Sequence, residues 1–209
     1  MHETSKSLPR RLADHRFATR YFVGDGIDIG AGPDPLAQYR ELFPLMRSCR
    51  SWDIGDGDAG QLASIADASL DFAHSSHCLE HLHDPALALD NWLRALKPGG
   101  HLIVLVPDED LYEQGVFPST FNPDHKSTFT IGKTRSWSAA SINLLDLLAR
   151  FTARAEVLKI ERLDATYRYA LPRFDQTRTP VAECAIEFIL RRLTPEDVKH
   201  KGRLPRPGR

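Results

Sequence analysis

Cysteine is scarce in this sequence: Cys49, Cys78 and Cys184 are the only three, widely spaced and odd in number. That fits reduced thiols and excludes a disulfide framework or a clustered zinc site. There is no apolar run of the roughly eighteen residues that a membrane helix needs. The opening stretch MHETSKSLPRRLADHR is too polar to hold the apolar segment of a secretory signal. The expectation is a cytoplasmic protein without membrane insertion. Internal repeats are lacking, and no basic stripe crosses the body of the chain, so nucleic acid is not an expected partner.

What is present is ordinary for one packed domain: 209 residues, 42% apolar and 26% charged, with a net charge of −1. From Arg191 onward seven basic residues face Glu196 and Asp197, giving +5 there and −6 elsewhere. Residues 1–193 are therefore read as a single domain, and 194–209 as a basic, flexible tail.

Along the chain, Leu8, Leu12, Phe17 and Tyr21 recur at helical spacing among arginines, predicting an amphipathic leader helix over 8–22. Strands are expected at 26–29, 46–54, 70–77, 101–106, 155–163 and 183–192. Between 55 and 69 the Gly/Asp-rich stretch allows only a short strand or turn. Asp84 before Pro85 is a helix N-cap signal, with Leu89, Trp92, Leu93 and Leu96 on one face and a stop at Lys97-Pro98-Gly99-Gly100. A second helix is expected over 138–151, capped by Ser138. The irregular stretch 107–137 is too long for a plain connection, which suggests an acceptor lid. Alternating strands and helices predict an α/β fold with a mostly parallel, doubly wound sheet.

In such sheets ligands lie at the carboxyl ends of the strands. The first strand ends in Asp28-Ile29-Gly30-Ala31-Gly32, where two glycines let a ligand approach the backbone. Pro33, Asp34 and Pro35 follow in place of a third glycine, which disfavours a phosphate cradle and with it a nicotinamide dinucleotide. The acidic residues suit a cationic ligand that carries a ribose. Asp28 can meet an amino group, Asp53 stands where a ribose-binding carboxylate is expected, and Asp58 can accept from an adenine amino group. Aspartates beside glycine also cap turns.

The series GIDIGAG, SWDIGDGDA, LDFAHSSHCLEHLHDP and LRALKPGGHLIVLVPD, in that order over residues 20–110, resembles class I S-adenosylmethionine-dependent methyltransferases of the broad methyltransferase-domain group. The resemblance implies a Rossmann-like, seven-stranded type of sheet with an antiparallel last strand. It places Asp28, Gly30, Ala31 and Gly32 at the methionine part of the cofactor and Asp53 with Ile54 at the ribose. Asp58 and Ala59 then border adenine, and Ser75, Ser76 and His77 line the pocket. The sequence departs from the family at Asp34, where a glycine is usual, and in the short stretch from Gly32 to Asp58, so the first crossover and third strand must be abbreviated.

Methyl transfer to a hydroxyl needs a positioned acceptor and a base. His77 and His125 are the candidates. Tyr112, Phe117, Phe121, Phe129 and Trp137 can cover an acceptor or pack against the sheet. His77-Cys78-Leu79-Glu80-His81 also matches the H-x-x-E-H zinc-protease pattern, against which the resemblance argues. Quinone-precursor O-methyltransferases have a similar E-x-x-E-H stretch that binds a divalent ion. No metal is expected, with His77, Glu80 and His81 as the alternative set. The reading is a methyltransferase acting on a small molecule, most simply on an oxygen and by analogy on a sugar or other biosynthetic intermediate, as a monomer or homodimer. Its rivals are an inactive cofactor-binding module that regulates a partner, and a nicotinamide-dependent oxidoreductase.

Overall fold

The computed structural model describes residues 2–200. Strands β1 (Gly24–Ile29), β2 (Met46–Trp52), β3 (Leu70–Ser76), β4 (Leu96–Pro107), β7 (Ala155–Leu163) and β8 (Ala185–Arg192) form one sheet in the order β2-β1-β3-β4-β8-β7. The first four run parallel, and β8 lies antiparallel between β4 and β7. β5 (Thr128–Thr130) and β6 (Ser141–Asn143) pair separately. Strand order reverses beside β1, whose neighbours are β2 on one side and β3 on the other, so the crevice at their carboxyl ends is where a ligand fits.

The apolar run of β4 is buried on both faces, as a central strand requires. Leu102, Val104 and Val106 pack with the helices α2 (Pro85–Ala95) and α3 (Leu144–Ala149), while Ile103 points to the opposite layer built by Phe17, Phe22, Leu36 and Phe43. Asp84 caps α2 as expected, accepting from Leu87 N at 2.9 Å.

Several boundaries differ from the sequence expectation. The leader is a helix α1 over Glu3–Ala13 followed by a wide turn at Phe17–Tyr21, and Leu12 is exposed. Its buried residues are polar, Glu3, Thr4, Ser7 and Arg11, because it meets charged groups at the carboxyl end of the sheet, while the half-buried Leu8 packs on the layer of Phe17 and Phe22. Helix α2 ends at Ala95, and the Pro-Gly-Gly segment is already extended as the start of β4. The helix expected over 138–151 opens as β6, with Asn143 and not Ser138 capping the shorter α3.

The sheet has six strands among the described residues, one fewer than the type implies. The first crossover is a short 3₁₀ segment, Leu36–Leu42. Where a third strand would lie, backbone carbonyls are taken by side chains instead of a ladder. Trp92 Nε1 donates to Ala59 O at 2.7 Å, Asn91 Nδ2 to Gly60 O at 2.9 Å and Arg94 to Ile65 O at 2.9 Å, so α2 holds the stretch in place of a strand.

The expected tail begins as structure: Thr194 caps a short helix α4 (Pro195–Lys199) through a capping box. Residues 201–209 of the expected tail lie outside the described ones. The stretch 107–137 is largely packed, with Tyr112 and Phe129 buried and Trp137 partly exposed. Among the described residues no helix is long and apolar enough to cross a membrane.

Candidate active site

β1 delivers its chain into a turn that only glycine tolerates easily. Gly30 and Gly32 have φ of +74° and +54°, and the amides of Gly30 and Ala31 both donate to Trp52 O at the end of β2. A Cβ on Gly30 would strike Cys78, whereas one on Gly32 would meet nothing closer than Gly30 O at 4.0 Å. Gly32 thus faces open space. Asp53 closes the turn from the β2 side: its carboxylate accepts from Gly32 N at 3.1 Å and from Ile54 N at 2.8 Å.

A cleft of about 210 Å³ lies over this turn, lined by Gly30, Ala31, Gly32, Ser76 and His77 and roofed by Glu3 and Thr4 of α1. Asp34 explains the roof. Its Oδ2 accepts from Ser5 N at 2.8 Å, and its Oδ1 from the Tyr39 hydroxyl, so this aspartate caps α1 from another part of the chain. Farther along α1, Arg10 reaches Glu183 and Glu187, each at 2.8 Å, and the fully buried Arg11 donates to His74 Nε2 at 3.0 Å.

Asp28 is committed to this scaffold. His74 Nδ1 donates to its Oδ1 at 2.6 Å and Leu36 N to its Oδ2 at 2.7 Å. Burial lowers the His74 pKa, only partly opposed by Asp28, and a neutral ring with its proton on Nδ1 leaves Nε2 to accept from Arg11.

The sequence candidates are distributed unevenly. Asp28, Gly30, Ala31, Gly32, Ser76 and His77 line the cleft. Asp53 and the 94% exposed Ile54 stand at its outer end. Ser75 is buried and donates to Ile29 O. Asp58 accepts from Gly60 N in a turn and Ala59 packs against the core, and neither lines the cleft. Sequence reasoning missed Glu3, Thr4 and the capping role of Asp34. Their only signal was the odd aspartate in the glycine loop.

His77 sits at φ +55°, its amide held by Leu105 O. Both ring nitrogens are buried without a hydrogen-bond partner among the described residues. Glu80 Oε1 is 3.5 Å from Nδ1 and Glu3 Oε2 is 3.8 Å from Nε2. Burial lowers the His77 pKa, but these two carboxylates outweigh it and the net direction is upward. His125 lies deeper. Its Nδ1 meets Glu113 Oε1 at 2.7 Å, and its ring stacks on Tyr112. Burial raises the Glu113 pKa despite that contact.

The family model described as "Methyltransferase domain" matches residues 5–155. No curated protein matches the chain by sequence. In structure it is similar to an S-adenosylmethionine-dependent methyltransferase from Archaeoglobus fulgidus, with 17% identity, a TM-score of 0.58, and coverage of 90% of this chain and 94% of that one. It is also similar to a chain of the complex between the Haloferax volcanii Trm112 methyltransferase activator and a methyltransferase, with 15% identity, a TM-score of 0.54, and coverage of 92% and 98%. The N-methyltransferase NodS from Bradyrhizobium japonicum, in complex with S-adenosylhomocysteine, gives 13% identity, a TM-score of 0.51, and coverage of 90% and 87%. At these identities the likeness is one of fold.

Proposed function

We propose, because the chain belongs to the methyltransferase-domain family, that this class I S-adenosylmethionine-dependent methyltransferase methylates an oxygen of a small molecule, such as a sugar hydroxyl. The cleft suits one end of the cofactor. Its volume of about 210 Å³ is below the roughly 300–1,000 Å³ that encloses a drug-sized ligand. The amino-acid end fits inside, and the nucleoside extends over Asp53 and Ile54. Ser76 Oγ and Glu3 Oε2, both buried and without a hydrogen-bond partner among the described residues, offer acceptors toward a cationic end. Asp53 retains lone pairs for ribose hydroxyls beyond the two amides it already holds.

When bound, S-adenosylmethionine supplies a methyl group on a sulfonium, and transfer to a hydroxyl leaves S-adenosylhomocysteine and one proton. His77 is placed to take that proton on an unpartnered ring nitrogen, and Glu80 and Glu3 stabilise the imidazolium that results. Glu3 and Thr4 of α1 cover one side of the cleft. The observation that carries the reading is His77: a buried base in the cleft wall with both nitrogens free of hydrogen bonds among the described residues.

The test combines calorimetric titration of the cofactor with S-adenosylhomocysteine production from a library of hydroxylated acceptors. Gly32→Val is expected to abolish cofactor binding, and Asp53→Ala to weaken it by about 1–3 kcal/mol through loss of charge-assisted hydrogen bonds. Gly30 is the poorer probe, because a side chain there strikes Cys78 before it reaches a ligand. His77→Ala is expected to keep the cofactor and lose roughly 10²–10⁴ in kcat. Unchanged turnover in that variant removes the base. Cofactor binding without any product would favour the inactive binding module.

A further inference from the structure

Behind the cleft, Glu80 is fully buried and neither of its carboxylate oxygens makes a hydrogen bond among the described residues. A buried carboxylate that makes no hydrogen bond is costly. Three imidazoles surround it, His77 with Nδ1 3.5 Å from Oε1 on the cleft side and two others behind it. His81 Nε2 and His125 Nε2 each lie 3.9 Å from the same atom, Glu80 Oε1. The three donors fall within 4.8 Å of one another. These distances are too long for hydrogen bonds, but they suit ligand atoms arranged around a shared centre.

The opposite ring nitrogens settle how the imidazoles are presented. His81 Nδ1 is 2.9 Å from Asp124 Oδ2, and His125 Nδ1 is 2.7 Å from Glu113 Oε1. A carboxylate accepts, so each Nδ1 carries a proton, and in the neutral ring each Nε2 turns a lone pair toward Glu80. This carboxylate–imidazole pairing is the usual second layer around a metal ion. The backbone fixes it further: Glu80 O accepts from Lys126 N at 2.7 Å and Ser127 N at 3.2 Å, which draws His125 in from a distant segment.

We propose that Glu80, His81 and His125 bind a divalent transition-metal ion. Two imidazoles and one carboxylate suit zinc or a neighbouring first-row ion better than magnesium or calcium. Tetrahedral bonds of about 2.0–2.1 Å set donor atoms about 3.4 Å apart, so these separations close by roughly half an ångström to somewhat over one when an ion binds. The set differs from the H-x-x-E-H alternative: His125 enters it and His77 does not. His81, alone of the three, also lines the cleft, so an ion held by it would lie beside the space proposed for the acceptor. There it would take an oxygen donor, a hydroxyl or carboxylate of the acceptor. That last use rests on the methyl-transfer reading, whereas binding of the ion does not.

The test uses the full, untagged chain, stripped of metal and without cofactor. Zn²⁺ is titrated calorimetrically and Co²⁺ is followed by its absorption bands, which separate imidazole and carboxylate ligation from binding to the cysteines. One ion per chain is expected, without thiolate bands. Glu80→Gln and His125→Ala should abolish binding, with circular dichroism reporting whether these buried variants fold. The exposed Asp124→Ala tests the same site without disturbing the core and should weaken binding by about 10- to 100-fold. His83→Ala, an exposed neighbour, should leave it unchanged. No stoichiometric binding by the unmodified chain overturns the proposal, as does wild-type affinity in a folded His125→Ala or in Asp124→Ala. Because cofactor is absent throughout, failure here leaves the methyl-transfer reading standing.

Discussion

Arg11 and Glu187 show how single residues hold the site together. Both are fully buried, with Arg11 NH2 3.5 Å from Glu187 Oε2 and the guanidinium packed over the Phe17 and Phe22 rings. Removing one member of a buried ion pair strands the other. Glu187→Ala is therefore expected to destabilise the fold by about 3–5 kcal/mol in chemical denaturation, and adding Arg11→Met should recover a large part of that. At this scale the sequence was readable where a residue announces its backbone. Gly30 and Gly32 occupy the turn their spacing implied, and Asp84 caps the helix its proline implied. It was unreadable where a role depends on distant partners. Asp28 has its oxygens taken by His74 and Leu36, and no local pattern pairs positions 28 and 74.

Among the elements, the strands were legible because apolar runs and flanking glycines mark them locally, and β7 runs over the expected 155–163. Helix α1 was misplaced because the search followed apolar spacing, while the face it buries is Glu3, Thr4, Ser7 and Arg11. The same blindness hid the cluster around Glu80, which joins the turn after β3 to residues 113 and 124–127. Asp34 ties α1 to the glycine turn, so its loss should act on that helix before the rest of the molecule. In Asp34→Ala, amide exchange over residues 5–13 is expected to accelerate while that of β3 and β4 stays slow, at a cost of about 0.5–2 kcal/mol typical of a lost cap. Equal acceleration throughout would mean that the helix and the sheet open as one unit.

For the whole molecule, Glu187, His101 and Asp108 are three groups whose titration bears on the response to acid. Burial alone would raise the Glu187 pKa, but Arg11, Arg10 and Lys159 bring it down to about 2 from 4.5. Its folded value is the lower one, so its contribution is present above about 4.5 and lost as pH falls toward 2. Burial, with Arg20 and Arg191, lowers His101 from 6.5 to about 4, so its contribution is lost between those values as pH falls. Burial raises Asp108 from 3.8 to about 6, which works the other way: its contribution is present below 3.8 and lost as pH rises through 6. His101 and Asp108 oppose each other in the middle range. Thermal melts are expected to show little change between pH 6.5 and 4.5 and a steep fall from there toward pH 2. A steady decline beginning at 6.5 would mean that His101 outweighs Asp108.

The sheet stops at β2, and the stretch that follows is held by α2 instead of by a further strand. A nucleobase resting on Ile54 would therefore keep one flank wet, with little on that side to read its edge. Selectivity for the donor would then fall on its sugar and its charged end, with the identity of the heterocycle counting for little.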